Sequence, residues 1–154
     1  MFSVRRATVA DASVLGSLRE VMFRELGRHP DPGAPAFGQT SAEAFRDSIT
    51  RGACEAWLAE SPNGVAIGSV AMLIYPRLPS PESAATAEGY LLNVYTDRAW
   101  RGRGVAAALV DASIARARGL GLGRIRLHAT EAGQRVYEKA GFRSRVDEME
   151  LRLT

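Results

Sequence analysis

The residues best suited to chemistry in this 154-residue chain lie in the run Arg101-Gly102-Arg103-Gly104-Val105-Ala106. A helix that opens on Gly102, Gly104, Val105 and Ala106 presents unpaired backbone N–H groups at the positive end of its dipole, where anions bind. Glycine at 102 and 104 and the small Ala106 let a phosphate approach the backbone, and the guanidinium groups of Arg101 and Arg103 add charge. Gly102, Gly104 and Ala107 also match G-x-G-x-x-A, the dinucleotide fingerprint. That fingerprint follows its strand at once, inside an opening βαβ unit, and an acidic residue ends the next strand. Here Thr96 to Trp100 intervene, the unit comes late, and the next strand ends in His128-Ala129-Thr130. A P-loop is excluded because no Gly-Lys-Ser/Thr occurs. What remains is a pyrophosphate cradle of another kind, or a plain strand-to-helix turn.

The elements that position this run can be read from periodicity and turn chemistry. Residues 3–7 form a short strand; Thr8 and Asp11 then stand at capping-box spacing before the apolar positions Val14, Leu15, Leu18, Val21, Met22 and Leu26 of a first helix. Gly27 ends it, and the Pro- and Gly-rich run His29 to Gln39 cannot continue it. Thr40 and Glu43 repeat the capping-box spacing before Phe45 and Ile49, which predicts a second, shorter helix. Ala56 to Ala59, the turn Ser61-Pro62-Asn63-Gly64 and the apolar run Val65 to Tyr75 read as a hairpin. Pro76 to Thr86 is a flexible loop by composition. Tyr90 to Tyr95 is a fourth strand, Val105 to Arg118 a helix, and Gly119, Gly121 and Gly123 its stop. Ile125 to Ala129 is a fifth strand, Gly133 to Ala140 a short helix with Gly141 as its left-handed cap, and Glu148 to Leu153 alternates as a last strand. The order β-α-α-β-β-β-α-β-α-β describes a mixed α/β sheet, and no repeat or linker divides residues 1–154, so one domain is expected.

Composition narrows the function classes. An apolar fraction of 46% and a charged fraction of 24% are those of a soluble globular protein, and no apolar run suits a membrane span. The start Met-Phe-Ser-Val-Arg-Arg lacks the apolar stretch of a secretory signal. One cysteine, Cys54, allows no internal disulfide, which together with the start suits the cytoplasm. The net charge of +3 comes from arginines, many near the glycine run. They form no basic stripe interleaved with aromatics, so no nucleic-acid partner and no membrane partner is expected. No metal site is expected either.

Arg101, Gly104 and Ala106 resemble the Arg/Gln-x-x-Gly-x-Gly/Ala signature of the GNAT superfamily of N-acetyltransferases. The strand Leu91 to Thr96 before it, and the block Val136-Tyr137-Glu138-Lys139-Ala140-Gly141-Phe142 after it, are similar to that family too, so the resemblance covers residues 89 to 142. It implies that acetyl-CoA is the co-substrate. Backbone amides from Gly102 through Arg103, Gly104, Val105 and Ala106 to Ala107 would hold the CoA pyrophosphate, with Arg101 beside them. The edge of the strand at Val94, Tyr95 and Thr96 would pair with the pantetheine arm like an added strand. A backbone N–H near Val94 or Tyr95 would stabilise the oxyanion of acyl transfer.

The same resemblance makes Tyr137 the acid for the departing thiolate and leaves two candidates for the base. Many members place a Glu on the fifth strand, where this chain has His128, whose ring suits proton abstraction near neutral pH. Others use a Glu on the fourth strand, and here Glu88 lies just before it. A structural role is the ordinary reading of each: a half-buried aromatic, a strand-end hydrogen-bonding histidine, a solvated loop carboxylate. Where many members have an Asn on the way to the tyrosine, this chain has Thr130 and Gly133 in a shortened linker. The acceptor is an amine on a small molecule or on a peptide or protein. It would be bound by residues 20–50 and 76–90, where Glu20, Glu25 and Asp47 are the acidic groups available to a cationic amine. The family also often pairs exposed end strands into homodimers. A non-catalytic acyl-CoA-binding module is the alternative to an enzyme.

Overall fold

A computed structural model describes residues 1–33 and 35–154. The first helix starts where the Thr8/Asp11 spacing predicts. The Thr8 N–H donates to Asp11 Oδ2 at 2.8 Å, closing a capping box ahead of a short 3-10 turn, and helix α1 follows over Ala12–Glu25. Helix α2 covers Phe37–Thr50 and begins three residues before Thr40. The Thr40/Glu43 box is therefore not used; Thr40 lies inside the helix and donates its hydroxyl to Ala36 O at 3.2 Å. Packing decided the earlier start, because Phe37 meets the Phe23 ring of α1 edge-on at 5.6 Å. The two helices cross closely, and a side chain at Gly16 would run into the Gly38 carbonyl.

Five strands follow one another across the sheet in chain order: β1 Ser3–Arg6, β2 Cys54–Glu60, β3 Ala66–Pro76, β4 Ala87–Thr96 and β5 Ile125–Arg126. The first three pairings are antiparallel and the last is parallel. Helix α3, Val105–Gly119, joins β4 to β5, and the short α4, Gln134–Lys139, follows. Each face of the sheet carries its own core. On one, α1 and α2 cover Leu58, Ala56 and Ala71 with Leu15, Ala12 and Phe45. On the other, Leu109, Val110, Val105 and Tyr137 pack on Trp57, Val70, Met72 and Leu91.

Three expectations are corrected. β4 begins at Ala87, so Glu88 belongs to the sheet, opposite Tyr75. β5 ends at Arg126, short of the predicted Ala129, because it pairs with β4 only at Gly89–Ile125 and Tyr90–Arg126. Residues Glu148–Leu153 form no strand; Met149, Leu151 and Leu153 are exposed, and among the described residues no neighbour offers the segment a ladder. The loop 76–86 is held at its base by Arg77 N–H donating to Thr86 O at 2.9 Å and by a Ser80–Ser83 bridge. Gly141, at φ +100°, takes the left-handed cap expected of it.

Candidate active site

The parting of β4 from β5 creates the site. Beyond Tyr90, β4 has no partner on the β5 side among the described residues, so Leu91 to Thr96 keep a free backbone edge there. That edge is also reshaped. Ala71 pairs with Leu92 and Ser69 with Tyr95, so Asn93 and Val94 together oppose Val70: a β-bulge. Asn93 absorbs it at φ +58°, a left-handed conformation rare outside glycine and commonest in Asn and Asp. It is tied down by Ser69 Oγ–H donating to Asn93 O at 2.8 Å and by Asn93 Nδ2 donating to Ser69 Oγ at 3.1 Å. The bulge resets the alternation, so Val94 packs toward the α3 core while Tyr95 reaches Glu25 on α1. Backbone strain of this kind clusters at functional sites.

From Thr96 the chain turns through Arg98–Trp100, where Ala99 N–H donates to Asp97 Oδ1 at 2.9 Å. Gly102 at φ +73° and Gly104 at φ +81° then lead into α3. Left-handed backbone there favours glycine, and a Cβ at either position would meet nothing within 4 Å, so space lies open above the loop. Gly104 is the N-cap of α3 and no side chain caps the helix. The first-turn N–H groups therefore lack intrahelical partners and remain available to an anion. The two arginines differ. Arg103 stacks at 5.0 Å on Trp100. Arg101 donates from Nε to Thr96 O at 3.0 Å and pairs through its NH2 nitrogen with Glu25 Oε2 at 2.5 Å.

Glu25 is thus a residue whose place the sequence did not disclose. It joins the end of α1 to Arg101, Arg98 and the Tyr95 hydroxyl. Burial raises its pKa, and the Arg101 and Tyr95 hydrogen bonds outweigh that and hold it below the usual carboxylate value. The other acidic groups suggested for the acceptor, Glu20 and Asp47, pair with Arg24 and Arg51 one helical turn away.

The candidates for proton transfer occupy different surroundings. Tyr137 is a buried ring on α4, in edge contact with Phe142 at 5.9 Å, and Gly133 lies so near that a Cβ there would meet the ring's Cε2 at 3.0 Å. Its hydroxyl makes no hydrogen bond to the protein among the described residues, and burial raises the phenol above its ordinary pKa. It stays a neutral donor. His128 is exposed, just past β5, with Nδ1 in a short hydrogen bond to the Tyr90 hydroxyl. Tyr90 is a partner that sequence inspection missed, since only the β4–β5 register brings residues 90 and 128 together.

Glu88 is 2% exposed and fully engaged. Tyr75 O–H donates to Oε1 at 2.5 Å, Arg126 to Oε1 at 2.9 Å and Arg124 to Oε2 at 2.7 Å, with Arg77 at 3.7 Å. Burial pushes its pKa up, and these donors outweigh burial, holding it below the usual carboxylate value. In the linker, Thr130 Oγ1 and the Thr130 carbonyl accept from the Gly133 N–H just before α4.

The site thus combines strands β4 and β5 that part beyond Tyr90, a bulge at Asn93 and Val94 on the freed stretch of β4, and a helix without a side-chain cap that opens on two left-handed glycines. The model of the Acetyltransferase (GNAT) family matches residues 20–142, and the chain belongs to that family. It is a GNAT acetyltransferase. Its fold closely follows a predicted acetyltransferase from Clostridium acetobutylicum crystallised with acetyl-CoA, at 27% identity over 99% of this chain and 97% of that one (TM-score 0.88). A GCN5-related N-acetyltransferase from Ralstonia eutropha is 28% identical over 99% of both chains (TM-score 0.80). In sequence, 92 residues are 30% identical to glucosamine 6-phosphate N-acetyltransferase of Trypanosoma brucei, and the match spans 60% of each protein. Among the described residues no helix is long and apolar enough to cross a membrane.

Proposed function

We propose that the protein transfers the acetyl group of acetyl-CoA to a primary amine, by direct attack within a ternary complex. The observation that carries this reading is the free, bulged edge of β4 running directly to the uncapped N-terminus of α3. The residues present suit acetyl-CoA. The edge at Val94, Tyr95 and Thr96 offers a ladder for an extended amide-bearing arm, and buried Thr96 Oγ1 has no protein partner among the described residues. Amides from Gly102 to Ala107 suit a pyrophosphate, with Arg101 acting by holding the loop and Arg103 by its charge. When bound, the co-substrate supplies a thioester that is activated toward amines.

The protein's own contribution is threefold. The bulge turns a β4 N–H at Val94 out of the normal ladder, as a fixed donor for developing negative charge. Tyr137, kept neutral by burial, gives a proton to the thiolate. His128 accepts the amine proton on Nε2, since Nδ1 is held by Tyr90. Glu88, with both oxygens occupied by donors, organises Arg124, Arg126 and Tyr75 beside the site instead of accepting that proton. The acceptor amine is on a small molecule or on a peptide or protein.

The test is thiol release from acetyl-CoA across amino sugars, polyamines, amino acids and peptide N-termini. Turnover with a primary amine supports the reading. Acetyl-CoA binding without CoA release over the whole panel would overturn it in favour of a binding module. With an active amine in hand, the acidic limb of the pH-rate profile should disappear in His128→Ala and persist in Glu88→Gln.

A further inference from the structure

Helices α3 and α4 fill one face of the sheet, so α1 and α2 bound the approach to the free edge of β4 from the other. Helix α1 lies against the bulge itself: Asn93 Nδ2 reaches Leu15 O at 3.5 Å, and Tyr95 O–H donates to Glu25 Oε1 at 3.1 Å. The carboxylates that this flank offered to a cationic amine are engaged, Glu20 by Arg24, Asp47 by Arg51, and Glu25 by Arg98 and Arg101. Two of its arginines have no carboxylate partner among the described residues. Half-buried Arg19 and exposed Arg28 both rest on the Phe23 ring, their guanidinium carbons 4.8 and 4.7 Å from its centroid.

The chain builds this pair locally. Arg19 and Phe23 stand one helical turn apart on the same face of α1. Gly27, at φ +72°, then folds the chain back: Gly27 N–H donates to Arg24 O at 3.0 Å and Arg28 N–H to Phe23 O at 2.9 Å. This closing motif returns Arg28 to the turn that carries the ring, and Phe37 of α2 steadies the ring from its edge. The arrangement brings two like charges together, and one of them is partly desolvated. Burial, and then the Arg28 charge, push the Arg19 pKa down. An anion relieves both costs, and guanidinium forks match carboxylate and phosphate oxygens two at a time.

We infer that Arg19 and Arg28 bind a carboxylate or phosphate group of the acceptor, so that the enzyme acetylates amines that carry an acid. This rests on the acetyl-transfer reading and adds the acceptor's class to it. The amine end meets the thioester at the β4 edge, and the acidic end meets the arginines of α1. The preference is the reverse of the one that Glu20, Glu25 and Asp47 suggest as letters, because those carboxylates are neutralised within the fold and the two arginines are not.

The test uses acceptors in matched pairs that differ only in the acid: ω-amino carboxylates of graded length with their primary amides, and aminoalkyl phosphates with the parent amino alcohols. At saturating acetyl-CoA the acidic member should have a KM roughly 10- to 100-fold lower, the range of a hydrogen bond to a charged group. Which series splits tells carboxylate from phosphate. Arg19→Gln combined with Arg28→Gln should raise the KM of the acid and bring the ratio toward one. Arg28→Gln alone, at an exposed position that the fold does not need, should move it the same way. Lysine at both positions keeps the charges without the forks and should retain part of the ratio. A second arm needs no turnover: with CoA saturating the cradle, inorganic phosphate should raise the melting temperature of the native chain and not that of the double Gln variant. If no amine is acetylated, acetyl transfer fails and this arm still decides the anion site. Equal KM within every pair, a ratio that survives in the Gln variants, or a phosphate response that is absent or shared by the double variant would overturn the proposal. So would a rise in the acetyl-CoA KM that vanishes with acetyl-dephospho-CoA, which would assign the arginines to the cofactor.

Discussion

Replacing Gly104 by alanine isolates what the left-handed start of α3 contributes. The residue sits at φ +81°, and a Cβ there would touch nothing within 4 Å. Crowding is therefore absent and the cost is confined to the backbone, roughly 1–2 kcal/mol for an L-residue held in that region. It can emerge in two ways. If the loop keeps its shape, the strain appears as lost stability. If the loop relaxes to negative φ, the strain is relieved, the amides of 104 to 106 lose their aim, and the KM for acetyl-CoA rises by about 5- to 30-fold. The free energies from the two readouts should sum to the strain, whichever way it divides. Chemical denaturation gives the first and initial-rate kinetics with saturating amine the second. Gly119→Ala is the control: it ends the same helix, lies in open space and is not in the left-handed region. It should be neutral or stabilising by up to about 1 kcal/mol. If Gly104→Ala changes stability and KM no more than Gly119→Ala does, neither the cradle nor the strain argument stands.

Tyr137→Phe should lower kcat by roughly 10²- to 10⁴-fold while leaving the melting temperature and the acetyl-CoA KM nearly unchanged, because the hydroxyl has no partner to lose among the described residues; an unaltered kcat removes the acid assignment. Glu88→Gln should destabilise the fold by about 2 kcal/mol in urea denaturation. That is less than the roughly 3–5 kcal/mol of a fully buried pair, since Arg124 is 44% exposed. The Arg5 hydrogen bond, only partly opposed by burial, pulls the Asp11 carboxyl down to about 2 from its ordinary 3.8. Its folded-state pKa is depressed, so its contribution is complete above about pH 4 and is lost as pH falls toward 2. The stability difference between the native chain and Asp11→Asn should shrink over that window and stay flat above it, as acid titration of the melting temperature would show.

The letters Arg101 to Ala106 and the block Tyr137 to Phe142 were legible without coordinates because they encode local chemistry. Glycines at 102 and 104 permit positive φ, and a helix opening on small residues exposes its amides wherever it is packed. The first helix start was legible for the same reason, since Thr8 and Asp11 bond to each other within one turn. Long-range pairing decided the rest. Glu88 looks like a loop carboxylate in the chain and becomes a buried anion only because β3 and β5 bring Tyr75, Arg124 and Arg126 around it. Thr40 has the spacing of a helix cap, yet Phe37 packing on Phe23 starts the helix earlier. Asn93 carries a weak sign of its role, the tolerance of Asn for left-handed backbone, but the bulge exists only through the register against Val70. Segment 148–153 has the right alternation and no ladder among the described residues. Periodicity tells which face of an element is apolar; a strand also needs a partner for its backbone hydrogen bonds, and that partner is supplied only in three dimensions.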